Sequence, residues 1–228
     1  MEKNVKIYRE LRGKLHIRAT LSKISIQNLN DVLCYWKNIG VTAVSAEPLY
    51  PMGRGDNSPF VPEPEETLNA LITILEWGRK NRIPIRTSAL FYSLPTSNLD
   101  LIPCGPLSGN ALVVNHQGYL LACGEALDPE HPFWQIWMIG QLKNGKFELD
   151  HSRLEELSQM TSVEKIELCK KCFAKYVCRG GCIMRRLFQT GSLAKPDPYH
   201  CFVAKNLLIN IIIRAVEGKY RFSPNYTV

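Results

Sequence analysis

The chain has 228 residues, 45% hydrophobic and 21% charged, which suits a globular protein built as one sizeable domain or a medium domain with a small one. Its net charge of +7 is a modest excess of 28 basic over 21 acidic residues. No aromatic residues interleave with the basic ones as a nucleic-acid-binding sheet requires, which argues against a nucleic-acid partner. The N-terminal MEKNVKIYRELRGK lacks the apolar core of a signal peptide, and the most apolar late run, residues 207–213, is far short of the roughly 20 residues that span a bilayer. The expectation is a cytoplasmic protein with no membrane partner, a setting in which eight cysteines favour metal or redox chemistry over structural disulfides.

Residues 1–12 suit a short helix closed by Gly13. Residues 15–21 alternate as a strand does, and 28–39 form an amphipathic helix with Leu29, Val32, Leu33 and Trp36 on one face and Gly40 at its end. A strand is predicted over 41–47, then a loop at PMGRG, where two glycines and a proline break regular structure. A helix over 63–80 opens on a proline-rich, acidic turn, and 83–87 is a short apolar strand. Strand, helix, strand, helix, strand is the pattern of parallel βαβ units, so an α/β fold is expected here.

Around Cys104 that rhythm stops and cysteines, glycines and prolines take over. Residues 111–114 and 119–122 read as two strands about the turn Asn115-His116-Gln117-Gly118. Helices are predicted over 151–160 and 200–216.

The densest chemistry is CKKCFAKYVCRGGC, which carries Cys169, Cys172, Cys178 and Cys182. Four thiols so close together cannot all pair as unstrained disulfides, but they can turn towards a buried metal. Lys165, Lys170, Lys171, Lys175, Arg179, Arg185 and Arg186 surround them, either as a solvated surface or as cations that offset thiolate charge. Cys169, Cys172, Cys178 and Cys201 could make a closed zinc site, which would leave three further cysteines without a purpose; softness and ligand count favour iron–sulfur. Gly180 and Gly181 suit a cluster, because glycine tolerates unusual dihedrals and lets backbone N–H groups approach cluster sulfurs.

From Cys104, thirteen residues lead to Gly118 and four more to Cys123; the run 169–182 follows, then Cys201. This pattern closely resembles the seven-cysteine motif of SPASM domains, the C-terminal extensions of radical S-adenosylmethionine (SAM) enzymes. The resemblance implies that residues 1–103 are the last three βα units of a radical SAM half-barrel, 104–201 a small Cys-rich α+β SPASM domain, and 202–228 a C-terminal helix and tail. It also implies two auxiliary 4Fe–4S clusters. Cys169, Cys172, Cys178 and Cys201 would hold the distal one, and Cys104, Cys123 and Cys182 the proximal one. A cysteine leaving its neighbours for another cluster is known from two-cluster ferredoxins.

The chain departs from the family in three places. Asn110 stands where some relatives have an eighth cysteine, which leaves the proximal cluster an open iron or an oxygen ligand. Gly124 and then Glu125 follow Cys123, where sulfatase-maturing members have an aspartate that acts as a base. No C-x3-C-x2-C triplet for the SAM-cleaving cluster occurs in the 228 residues. The chain therefore resembles the C-terminal part of such an enzyme: a truncated or split gene product, or a subunit completed by another chain. SAM would bind only with the missing N-terminal half, and the chain alone would not cleave it. Relatives modify peptides or proteins, so a peptide or protein substrate is implied. The alternative is a non-catalytic iron–sulfur or zinc-binding electron carrier or partner subunit.

Other residues have plainer readings. Cys34 reads as a small buried apolar residue. His200 adjoins Cys201 in a supporting or surface role, His116 sits solvated in its turn, His16 packs on its strand, and His131 and His151 carry no motif. Arg54 is either a carboxylate contact at a strand's C-terminal end or part of a plain loop, and Glu47 lies in the same region. Phe133, Trp134 and Trp137 cover the clusters or simply pack a core. The strand over 15–21 would lack a neighbour, leaving an edge that invites association.

Overall fold

A computed structural model describes residues 2–90 and 104–218. Contacts divide the chain into two units: Met1–Leu94 with Pro198–Val228, and Pro95–Asp197. The predicted boundary near residue 103, and the tail from 219 onwards, lie outside the described residues.

The first unit begins with α1 (Glu2–Glu10), β1 (His16–Leu21), α2 (Lys23–Gln27) and α3 (Leu29–Ile39). It continues with β2 (Ala43–Pro48), a 3-10 turn at Gly53–Gly55, α4 (Pro64–Asn81) and β3 (Ile85–Arg86). The three strands lie in the order β1-β2-β3 and run parallel. The βαβ rhythm of the sequence is therefore present, and short α2 is the one addition. It starts at Ser22, whose hydroxyl accepts from the Ser25 N–H at 3.4 Å while the Ser25 hydroxyl accepts from the Ser22 N–H at 2.8 Å. Gly40 ends α3 in the left-handed region, as its position predicts. At the start of α4, the Glu66 carboxylate accepts from the Glu63 N–H at 2.8 Å, and Pro64 needs no donor there.

Leu21, Val44, Ala46 and Ile85 are buried on one face of this sheet, where α4 packs against β2 and β3. In-register residues of a parallel pair share a face, and the face alternates along each strand. The opposite face therefore carries His16, Arg18 and Thr20 from β1, Ser45 and Glu47 from β2, and Arg86 from β3.

The second unit contains β4 (Val113–Val114), β5 (Tyr119–Leu121), α5 (Trp134–Trp137), β6 (Met138–Lys143) and β7 (Lys146–Leu149). The strands form an antiparallel sheet in sequence order. The β4–β5 turn falls where predicted: the Asn115 carboxamide oxygen accepts from the Gln117 and Tyr119 N–H groups at 3.0 and 2.9 Å. The β6–β7 hairpin was not foreseen, although Asn144 and Gly145, with φ of 51° and 73°, supply the two left-handed residues of a tight hairpin. Four helices follow: α6 (His151–Thr161), α7 (Glu167–Lys170), α8 (Lys175–Cys178) and α9 (Ile183–Thr190).

The last helix, α10 (Pro198–Val216), returns to the first unit and packs along α4. The Tyr199 hydroxyl lies 2.5 Å from Thr67 Oγ1 and donates to the Pro62 carbonyl at 3.0 Å, and Arg214 pairs with Glu76. At 19 residues α10 is long and apolar enough to cross a membrane, by length and composition only. The expectation from 207–213 counted too short a run. Packing on α4 accounts for the buried Val203, Ala204, Leu207 and Ile211, whereas Ile209, Ile212, Ile213 and Val216 are exposed.

Candidate metal centre

Seventy-eight positions separate Cys104 from Cys182 in the sequence, yet the second unit brings Cys104, Cys123 and Cys182 close enough for their charges to act on one another. Cys104 opens the loop before β4, Cys123 follows β5 by two residues, and Cys182 is the residue before α9. Burial pushes the Cys123 thiol up to about 12; Cys182, Cys104 and Glu125 push the same way, against a hydrogen bond from the Glu125 backbone. Burial also raises Cys104, helped by Cys182 and opposed by a backbone hydrogen bond from Leu107. Such thiols stay protonated unless a cation takes the proton's place, which is what a coordinating metal does.

Cys169, Cys172 and Cys178 occupy consecutive turns. Cys169 lies in α7, Cys172 follows with its N–H on the Cys169 carbonyl at 3.0 Å, and Cys178 ends α8 with its N–H on the Ala174 carbonyl at 2.7 Å. Cys201 lies on α10, in the first unit. Among the described residues no group of three or more His, Cys, Asp or Glu side chains is gathered closely enough to hold a single metal ion. A tetrahedral zinc with Zn–S of about 2.3 Å needs its sulfurs about 3.8 Å apart, whereas an iron–sulfur cubane holds its thiolates further apart, on separate irons.

After Cys178 the backbone enters the left-handed region for three residues: Arg179, Gly180 and Gly181 have φ of 51°, 72° and 72°. Two glycines make this turn accessible, and a Cβ at Gly180 would collide with the Arg186 guanidinium. That guanidinium is fully buried and grips the turn. Its Nε donates to the Gly180 carbonyl at 2.8 Å, Nη2 to Arg179 at 3.0 Å, and Nη1 to Thr161 at 3.0 Å and Leu193 at 3.3 Å. Carbonyls satisfy its donors but do not neutralise its charge.

Arg179 and Arg185 are buried as well, and Asp197 is the one buried carboxylate of this unit among the described residues, 3.8 Å from Arg185. The three arginines are thus not the solvated surface that was one reading of the basic residues. Lys170 and Lys175 are closer to it, paired with Glu167 and Glu164. Buried guanidinium groups raise the local positive potential, which favours a negatively charged group in the same unit. Thiolate-ligated iron–sulfur clusters carry net negative charge, so the donor set and its surroundings fit such a group. Trp137 adds a further observation: it is fully buried, its carbonyl accepts from the Ala122 N–H at 2.8 Å, and its indole N–H finds no acceptor among the described residues.

Other sequence readings need adjustment. Cys34 is exposed, because the buried stripe of α3 runs through Leu29, Leu33 and Trp36 and Cys34 sits beside it. His16 is exposed too, with Nε2 3.0 Å from the Ser45 hydroxyl. His200 is buried in the first unit, its ring 6.5 Å from that of Tyr50. Glu47 accepts from the Ser88 N–H at 2.9 Å, and Arg54 is exposed in its short turn. Asn110 donates to the Ser108 hydroxyl at 3.0 Å and borders a cavity of about 290 Å³ lined by Pro106, Leu112, Ile139, Leu149 and Leu154.

No protein-family profile and no curated protein matches the chain. Its fold is similar to that of native anSMEcpe with bound AdoMet, an anaerobic sulfatase-maturating enzyme of the radical SAM/SPASM class, with a TM-score of 0.64 at 16% identity. That superposition covers 97% of this chain and 61% of the other. The structure titled native anSMEcpe with bound AdoMet and Kp18Cys peptide gives a TM-score of 0.60 at 16% identity, over 96% of this chain and 61% of that one. This chain therefore spans 61% of the length of these structures. At 16% identity the likeness is one of fold.

Proposed function

We propose that this chain is the cluster-bearing, C-terminal portion of a radical SAM/SPASM enzyme that modifies a peptide or protein. Cys104, Cys123 and Cys182 hold one auxiliary 4Fe–4S cluster, and Cys169, Cys172, Cys178 and Cys201 hold the other. The observation that carries this reading is the convergence of Cys104, Cys123 and Cys182 from three separate stretches, in a unit that also buries Arg179, Arg185 and Arg186. The fold likeness to an enzyme solved with AdoMet and a peptide supports the substrate class. Bound at these thiols, the clusters supply one-electron transfer to or from a substrate.

The chain's own residues do the rest. Burial keeps the unligated thiols protonated, Arg179, Arg185 and Arg186 set a positive potential around them, and Trp134 and Trp137 exclude water. The half-barrel reading of the first unit rests on its three parallel strands in sequence order, with α4 on one face. AdoMet cleavage would require the N-terminal half in the same or a second chain.

The test is iron and sulfide analysis of chain purified without oxygen. Two cubanes predict roughly eight irons and eight sulfides per chain. One zinc and no sulfide would overturn the reading in favour of a zinc-binding partner subunit. Incubation with AdoMet and a reductant should give no 5′-deoxyadenosine from this chain alone; turnover would refute the C-terminal assignment.

A further inference from the structure

The loop that Cys104 opens is folded back on itself. The Ser108 N–H donates to the Cys104 carbonyl at 3.1 Å, and the Asn110 and Ala111 N–H groups donate to the Gly105 carbonyl at 2.9 and 3.2 Å. Leu107 is buried beneath it, and its carbonyl accepts from the Ser158 hydroxyl of α6. This loop forms one wall of the cavity of about 290 Å³, with Ile139 of β6, Leu149 of β7 and Leu154 of α6 opposite. Ile139 is buried, whereas Asn110, Ala111 and Leu112 are exposed, so the cavity opens to solvent at the loop. None of its lining side chains titrates, and Asn110 is the one polar side chain. The Asn110 carboxamide donates to Ser108, and its oxygen accepts from no group among the described residues. One residue beyond Leu112 begins β4, the outer strand of its sheet. Among the described residues the backbone of 112–114 makes no hydrogen bond outside the β4–β5 ladder.

We propose that this cavity takes one large apolar side chain of the peptide substrate, whose main chain runs along the open edge of β4. Its volume lies at the small end of ligand cavities, which hold about 300–1,000 Å³, and suits a single side chain rather than a nucleotide or a flat cofactor. Its carbon lining favours leucine-like groups. A charged side chain would lose its hydration there and find no counter-charge. The mouth selects a peptide over a free apolar molecule, because it offers partners to a main chain. The Asn110 oxygen accepts an N–H, and the outer edge of β4 pairs with an extended segment. Pro106 stands two residues from Cys104, so a peptide seated here rests against the loop that carries a proximal cluster ligand. The proposal deepens the function above and rests on its reading of a peptide substrate.

The experiment measures, by fluorescence anisotropy without oxygen, binding of labelled Gly-Gly-X-Gly-Gly peptides to the full chain with its clusters loaded. X is Ala, Leu or Glu. The Leu peptide is expected to bind about tenfold more tightly than the Ala peptide, and the Glu peptide no more tightly than Ala. Ala111→Trp, at the exposed mouth, should remove the preference without changing iron content or the circular dichroism spectrum. Leu112→Lys, also exposed, should raise the Glu peptide above the Leu peptide, a gain that damage to the fold cannot produce. Asn110→Ala should weaken all three peptides alike and leave their ratio unchanged. A Leu peptide N-methylated on both sides of the leucine should lose most of its affinity. Equal binding of the Leu and Ala peptides overturns the proposal, as does a preference that survives Ala111→Trp. An N-methylated peptide that binds as tightly as the unmodified one also overturns it, because an apolar group alone then suffices. A chain without iron that still prefers the Leu peptide would refute the cluster assignment and leave this inference standing; a loaded chain without preference does the reverse.

Discussion

Arg186 shows how one residue can both support and explain a site. It ties four carbonyls from Thr161, Arg179, Gly180 and Leu193 into one cage, and its charge is not neutralised by them. Arg186→Met should destabilise the chain by about 3–5 kcal/mol, since buried carbonyls lose their donors. Thermal unfolding by circular dichroism measures this, and Arg186→Lys should recover part of the loss. The cysteines make a sharper prediction. Cys182→Ser should remove roughly half the iron by taking the proximal cluster, and Cys172→Ser roughly the other half by taking the distal one. Electron paramagnetic resonance of the two reduced variants should then show different remaining signals. Loss of all iron from both variants would contradict the division of ligands. The cysteines were legible in the sequence because their spacing survives as a pattern. The buried arginines were legible only as charge, because nothing in the run RGGCIMRR says which side faces inwards.

Among the elements, α4 and β3 approach closely at Gly78. A Cβ there would meet the Ile85 side chain and, at 2.7 Å, the Ile83 carbonyl, which cannot step aside. Gly78→Ala gains up to about 1 kcal/mol of helix propensity, but overpacking costs about 1–3 kcal/mol. Net destabilisation is expected, visible as a lower urea midpoint with an unchanged slope. Helices with strong periodicity and clear ends, such as α3 and α4, coincide with their sequence signals. β6 and β7 escaped them because Met138–Lys143 and Lys146–Leu149 alternate poorly: Gln141, Lys143, Lys146 and Glu148 are polar and three of the four residues of β7 are exposed. The Asn144-Gly145 pair was the usable signal. β1 carried its message in its alternation, which fits one covered face better than two.

At the scale of the whole molecule, β1 is the outer strand of its sheet, with β2 its one strand partner among the described residues. A six-residue strand with an unpaired side invites a neighbour. The purified chain should therefore elute with light-scattering masses of a dimer or larger, and coexpression with a partner half should return it to a defined complex. A monodisperse monomer would contradict this. The return of α10 to the first unit has a different consequence, concerning time. Thr67, Pro62 and Glu76 wait for Tyr199 and Arg214, more than a hundred residues downstream. At about 5–20 residues per second of synthesis, the delay is on the order of ten seconds. During that interval the nascent first unit holds α4 without its companion helix, while the cysteine-rich unit emerges complete. The order in which units are completed thus runs from the middle of the chain outwards, and the earliest residues made are among the last to find all their contacts.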